Sequence, residues 1–120
     1  MISPTGKNIR EDAAGSGKYG SPRGNRLHKG VDYYCEKGQE IVAPFNMTIK
    51  RKAYPYHDMK MEGIEWAHGE STGYMFYFKV RDELVGKYVK QGQVIGEAQS
   101  ISKYYSNKEM HDHIHFQINK

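Results

Sequence analysis

The chain predicts an all-β fold, an antiparallel β-sheet domain with long loops, little helix and a groove across one face. Three observations carry that expectation. Near the C-terminus Ile114, Phe116 and Ile118 alternate with His113, His115, Gln117 and Asn119, the period-2 pattern of a half-buried strand. From Val31 onward, short apolar runs are separated by clusters of turn-forming residues, as in a meandering sheet. No stretch keeps the 3.6-residue apolar period long enough for an amphipathic helix.

In chain order, residues 1–27 are rich in Gly, Ser, Asn and Arg without a sustained period. They read as an arm, flexible over 1–16 and becoming ordered against the site near Tyr19, ahead of a single domain over 17–120. Strands are expected at about 31–34, 40–44, 46–53, 62–68, 73–80, 87–90, 93–98 and 112–118, from β-branched and aromatic content between turn signals. His68-Gly69-Glu70-Ser71-Thr72-Gly73 has the composition of a hairpin loop. Ile101 to Lys108 suits one short helical turn.

A chain of 120 residues can bury one modest core. Hydrophobic residues make up 38%, which suits a small β domain with much solvated surface, and no apolar run approaches the length of a membrane span. Residues 1–12 lack the apolar core of a signal peptide, so action outside the cytoplasm would need lysis, a virion, a fusion partner or a removed signal. A single cysteine, Cys35, excludes a thiolate-rich structural zinc site and reads as a small buried hydrophobe. The net charge of +4 comes from scattered lysines, without the basic helices or phosphate-cradling loops of nucleic-acid binders. It suits attraction to polyanions such as cell-wall polymers, and equally a soluble basic surface.

The chemistry concentrates in two places. His113 and His115 project side by side from one strand face, where both can hold a divalent metal, or one can hold it while the other handles a proton. Two solvated surface histidines would show the same pattern. Far upstream, His28-Lys29-Gly30-Val31-Asp32 places an imidazole and a carboxylate four residues apart across a glycine. Three ligands of this mixed kind leave a metal position open, the arrangement of catalytic rather than structural zinc. No Gly-x-Ser-x-Gly elbow accompanies them, so serine-hydrolase chemistry has little support.

HKGVD followed near the C-terminus by HIHF resembles the paired signature of the lysostaphin-type zinc endopeptidases, which cut the peptide cross-links of bacterial cell walls. Ile41-Val42-Ala43-Pro44 and Val89-Lys90-Gln91-Gly92-Gln93-Val94-Ile95-Gly96 agree with it, and the likeness spans about residues 17 to 118. It implies a barrel-sandwich hybrid fold and one zinc ion held by His28, Asp32 and His115, with His113 catalytic. Where that family carries a second catalytic histidine, in a Tyr-x-His pattern, this chain has Tyr77-Phe78-Lys79. The same lysine, with Pro55-Tyr56 and Cys35, resembles the leukocyte cell-derived chemotaxin branch of the superfamily, regarded as non-peptidase.

Two functions follow from that resemblance. In one, His113 takes a proton from water, Lys79 steadies the developing oxyanion, and the substrate is a peptide of peptidoglycan. In the other, the zinc site is silent and the groove binds a glycan, peptide or receptor. Tyr77, expected on the strand face of Lys79, stands nearest the metal, and Tyr19 and His111 are further candidates for the groove. His68, at the turn, is expected to be exposed.

Overall fold

The computed structural model describes residues 1–12, 15–16, 22–23, 26–27 and 30–119. Its strands are β1 (Glu11–Asp12), β2 (Gly15–Ser16), β3 (Pro22–Arg23), β4 (Arg26–Leu27), β5 (Val31–Tyr34), β6 (Glu40–Val42) and β7 (Met47–Ala53). Further along run β8 (Gly63–His68), β9 (Ser71–Phe76), β10 (Phe78–Val80), β11 (Tyr88–Val89), β12 (Val94–Ala98) and β13 (His113–Ile118). The α-helix among the described residues is α1 (Ile101–Tyr105), and Asp82–Leu84 forms one 3-10 turn.

The strands form a six-stranded sheet in the order β11-β7-β8-β9-β13-β5 and a three-stranded sheet in the order β10-β12-β6, with β1-β2 and β3-β4 as separate pairs. Each pairing is antiparallel. The all-β antiparallel architecture is the one the alternation in the sequence predicts.

Both sheets close on one apolar cluster. Ile49, Ile64, Trp66, Met75, Ile114 and Phe116 come from the larger sheet, and Ile41, Phe78, Val80, Ile95 and Ala98 from the smaller. Trp66 stacks on Phe116 with centroids 5.5 Å apart, and Phe45 meets Trp66 edge-on at 5.0 Å. Such pairs add about 0.5–1.5 kcal/mol beyond the area they bury.

Two local features were not foreseen in the sequence. The strand expected over 73–80 is two strands in different sheets, because Tyr77 adopts φ 83° and its N–H, like that of Phe78, turns to the Glu62 carbonyl at 2.7 and 3.2 Å. That break transfers the chain from the larger sheet to the smaller. The second concerns the N-terminal arm. Residues 2–10 are laid against the domain: Ile2 N–H donates to Pro44 O at 2.9 Å, Val42 N–H to Pro4 O at 2.9 Å, Tyr34 N–H to Asn8 O at 2.9 Å and Arg10 N–H to Asp32 O at 2.7 Å. Ile9 bridges Tyr33, so this segment forms one more lane on the free side of β5. An irregular composition hides it, since strand addition through the main chain needs no side-chain period.

Ile114 lies between the two histidines of β13 and is fully buried. Ile114→Ala should destabilise the fold by about 2–5 kcal/mol in urea unfolding, the usual cost of such a truncation. A loss below about 1 kcal/mol would mean that β13 is not a core strand.

Candidate functional site

The outer face of β13 and β5 gathers the polar residues that the sequence singles out. Alternation sends Ile114 and Phe116 to the core and His113 and His115 to the other side, and the register sets His115 opposite Asp32 and His113 opposite Tyr34. Asp32, His113 and His115 are 2%, 4% and 9% exposed. Solvated surface histidines are thereby excluded.

His115 Nδ1 lies 2.9 Å from Asp32 Oδ1, and its Nε2 lies 3.0 Å from Gln117 Oε1. The amide nitrogen of Gln117 donates to Asn119 Oδ1 at 2.6 Å, which turns the amide oxygen toward the ring. An amide oxygen accepts, so Nε2 carries a proton there. Nδ1 and Asp32 Oδ1 then share one cation, either a second ring proton or a metal ion. A ring nitrogen and a carboxylate oxygen on one zinc would stand roughly 3.3 Å apart, from bond lengths of about 2.0–2.2 Å in a tetrahedron, so the pair fits as two of the expected three ligands. The third, His28, lies outside the described residues, as does Tyr19. Among the described residues no group of three or more His, Cys, Asp or Glu is arranged to hold a metal.

Gly30 explains how the backbone entering β5 comes so close to β13. A Cβ at this position would lie 2.7 Å from His115 Cε1 and 2.8 Å from its Nε2, and would also strike the Phe116 carbonyl. The absence of a side chain, rather than an unusual backbone angle, makes glycine necessary here.

His113 is arranged for a different task. Its Nδ1 lies 2.9 Å from the His111 carbonyl, which can only accept, so Nδ1 bears the proton and Nε2 carries the lone pair of the neutral ring. Nε2 faces Asp32 Oδ2 at 3.6 Å. Burial holds the His113 pKa below the usual imidazole value, with the Arg10 cation and His115 acting in the same direction and the Asp32 charge opposing them. The ring is therefore neutral, and able to accept a proton, at neutral pH.

A tyrosine cluster walls the site beside His113. Tyr77 meets the His113 ring edge-on at 5.4 Å, and its hydroxyl lies 3.2 Å from that of Tyr56, which accepts from Tyr105 at 2.6 Å. Tyr56 stacks on Tyr104 at 4.9 Å. Helix α1, which carries Tyr104 and Tyr105, is fixed by Asp112: its Oδ1 accepts from Ser100 Oγ at 2.8 Å, Ser102 Oγ at 2.8 Å and Ser102 N–H at 3.0 Å. Asp112 immediately precedes His113, so wall and histidine are positioned by one short segment.

The structure thus brings together Asp32, His113, His115 and Tyr77. His111 adjoins them through its carbonyl, while its ring packs edge-on to Tyr34 at 5.4 Å and lines a cavity of about 500 Å³ with Gly6, Lys7, Asn8, Tyr34, Cys35 and Glu36. Lys79 is not brought to this face. It is exposed on β10, opposite Glu97 of the smaller sheet, and among the described residues no hydrogen bond or ion pair joins it to Asp32, His113 or His115. The turn at Tyr77 is the reason, because it breaks the alternation that would have kept Lys79 on the face of Tyr77. Cys35 is buried as expected, and its thiol is pushed up to about 12, first by burial and then by the Asp112 charge. His68 is exposed, also as expected.

Sequence reasoning missed Arg10, Phe76, Tyr56, Tyr104, Tyr105 and the part played by Gln117. Gln117 was within reach, because it shares the alternation of the two histidines. Phe76, whose ring lies over that of His115 at 6.1 Å, was masked by the expected continuation of its strand. Arg10 gave no signal at all, standing in a segment without pattern.

A fold of this kind with an HKGVD aspartate facing an HIH strand defines a class. Residues 26–120 match the model of peptidase family M23, and the chain belongs to that family. Among its curated relatives are leukocyte cell-derived chemotaxin-2 of Bos taurus, 32% identical over 108 residues, and that of Mus musculus, 30% identical over 108 residues. Each alignment takes in 86% of this chain and 68% of the relative.

Gly30→Ala should force His115 or the β13 backbone to shift. It should cost about 1–3 kcal/mol of stability, the scale of overpacking, and displace the ring nitrogen resonances of His115. An unchanged urea midpoint with unchanged resonances would show that the close approach is not needed.

Proposed function

We propose that this domain is a zinc metalloendopeptidase that hydrolyses peptide bonds of bacterial peptidoglycan, with His28, Asp32 and His115 holding one zinc ion. The observation that supports it best is the division of labour on one buried face. His115 and Asp32 turn two donor atoms toward each other, while His113 presents a neutral Nε2 beside the same carboxylate. Bound zinc would polarise the scissile carbonyl and acidify water at the open position. His113 would take the proton, and its Nδ1–H bond to the His111 carbonyl keeps the receiving nitrogen aimed at Asp32 as it does so. The Tyr77 hydroxyl, at the site wall, supplies a neutral donor to the substrate. The basic balance of the chain would concentrate it on the carboxylates and phosphates of cell walls, so its place of work would lie outside the cytoplasm.

A second reading is favoured by the placement of Lys79. If the family's second histidine is essential, a lysine exposed on the smaller sheet does not replace it. The domain would then bind zinc without turnover and use the tyrosine-walled face to hold a glycan, peptide or receptor.

Turbidity of purified peptidoglycan separates the two. Clearing that a chelator abolishes supports the peptidase, whereas a zinc-loaded protein that leaves every wall intact supports the binding module. His113→Ala should retain one zinc per chain by elemental analysis and lose hydrolysis by about a hundredfold or more, the usual contribution of a positioned base. Loss of zinc together with activity would make His113 a ligand.

Given its exposure, Lys79→Met should leave the rate within about twofold. A fall of about 10²–10³, the scale for losing one oxyanion donor, would instead put Lys79 at the reacting carbonyl.

A further inference from the structure

We infer that Arg10 is a positioning residue for the site: it clamps the Asp32 carboxylate so that Oδ1 alone faces His115, the pair that would hold zinc. The inference rests on the zinc reading above only for its link to metal affinity. Arg10 Nε lies 3.3 Å from Asp32 Oδ2, and both side chains are 3% exposed. Asp32 Oδ1 is meanwhile engaged by His115 at 2.9 Å. With the two oxygens held by different partners, the carboxylate cannot rotate to offer both to one cation.

The clamp is delivered by the main chain. Arg10 N–H donates to the carbonyl of Asp32 itself at 2.7 Å, and Tyr34 N–H donates to Asn8 O at 2.9 Å. The same residue is thus bound through its backbone and its side chain to one aspartate. Outer partners of metal-binding carboxylates and histidines commonly govern affinity in this way. The N-terminal segment becomes part of the site although it lies outside both sequence motifs.

The direction of the effect tests the idea. By Coulomb's law alone, removing a cation beside a metal site would raise affinity for zinc. A clamp predicts the reverse. In Arg10→Met, which keeps the apolar stem and leaves the backbone bonds in place, zinc measured by calorimetry should bind about 10–100-fold more weakly. Arg10→Lys, which retains the charge but not the planar fork, should fall between. In the metal-free protein Arg10→Met should also shift the His115 Nδ1 resonance, because the Asp32 partner is no longer fixed, while circular dichroism stays that of the folded chain. Unchanged or tighter zinc binding would overturn the inference, as would an unmoved His115 resonance. Should the parent protein bind no zinc, the zinc reading fails by itself and the metal-free resonance still decides the role of Arg10. If Arg10→Met does not fold, Arg10→Gln is carried through the same two measurements.

Discussion

The site depends on one buried carboxylate. Asp32 is almost wholly removed from water, and an ionised group so placed costs several kcal/mol of desolvation unless charged or hydrogen-bonded partners offset it. Its three partners come from two separate parts of the chain: a guanidinium from the N-terminal lane and two imidazoles from the last strand. Removing any one leaves the others facing a charge with less compensation, so site and local fold share the same interaction. That coupling also gives the geometry its uniqueness, since few arrangements satisfy both oxygens at once.

Strand β13 transmits rigidity from the core to this carboxylate. Each histidine is flanked in sequence by a residue packed in the apolar cluster, Ile114 between the pair and Phe116 after it. A half-turn of the strand would exchange the two sets, so the core fixes where the imidazoles point. Asp112, at the entrance to the strand, extends that order to α1 and through its tyrosines to the outer wall.

Much of this was legible in the sequence, for identifiable reasons. A period of two exposes both the strand and its chemistry, which is why His113, His115 and the all-β class could be read directly. The pairing of Asp32 with His115 is a long-range contact, and the HKGVD signature pointed to it only because its residue types match those of a metal site. Periodicity fails where the backbone departs from regular strand, and Tyr77 is the clearest case: one residue at positive φ moves Lys79 from the expected face to another sheet. It fails again for Asn8 to Arg10, whose attachment is made by N–H and C=O groups that every residue carries. Tyr77 was expected beside the site, but the rest of the tyrosine cluster was not legible for a third reason: Tyr56 comes from a loop and Tyr104 and Tyr105 from the short helix α1, at separations that follow no period.

The lane formed by Asn8 to Arg10 has a consequence for how copies of this chain meet. Strand β5 ends the larger sheet, and an uncovered terminal strand offers a row of unpaired amides and carbonyls that invites intermolecular pairing. The lane occupies that row with the chain's own backbone. At the opposite end the sheet finishes in β11, two residues long, too short to template much. Among the described residues neither border therefore offers a long strand, and a cut within the first ten residues would open one of them, turning a closed surface into an adhesive one.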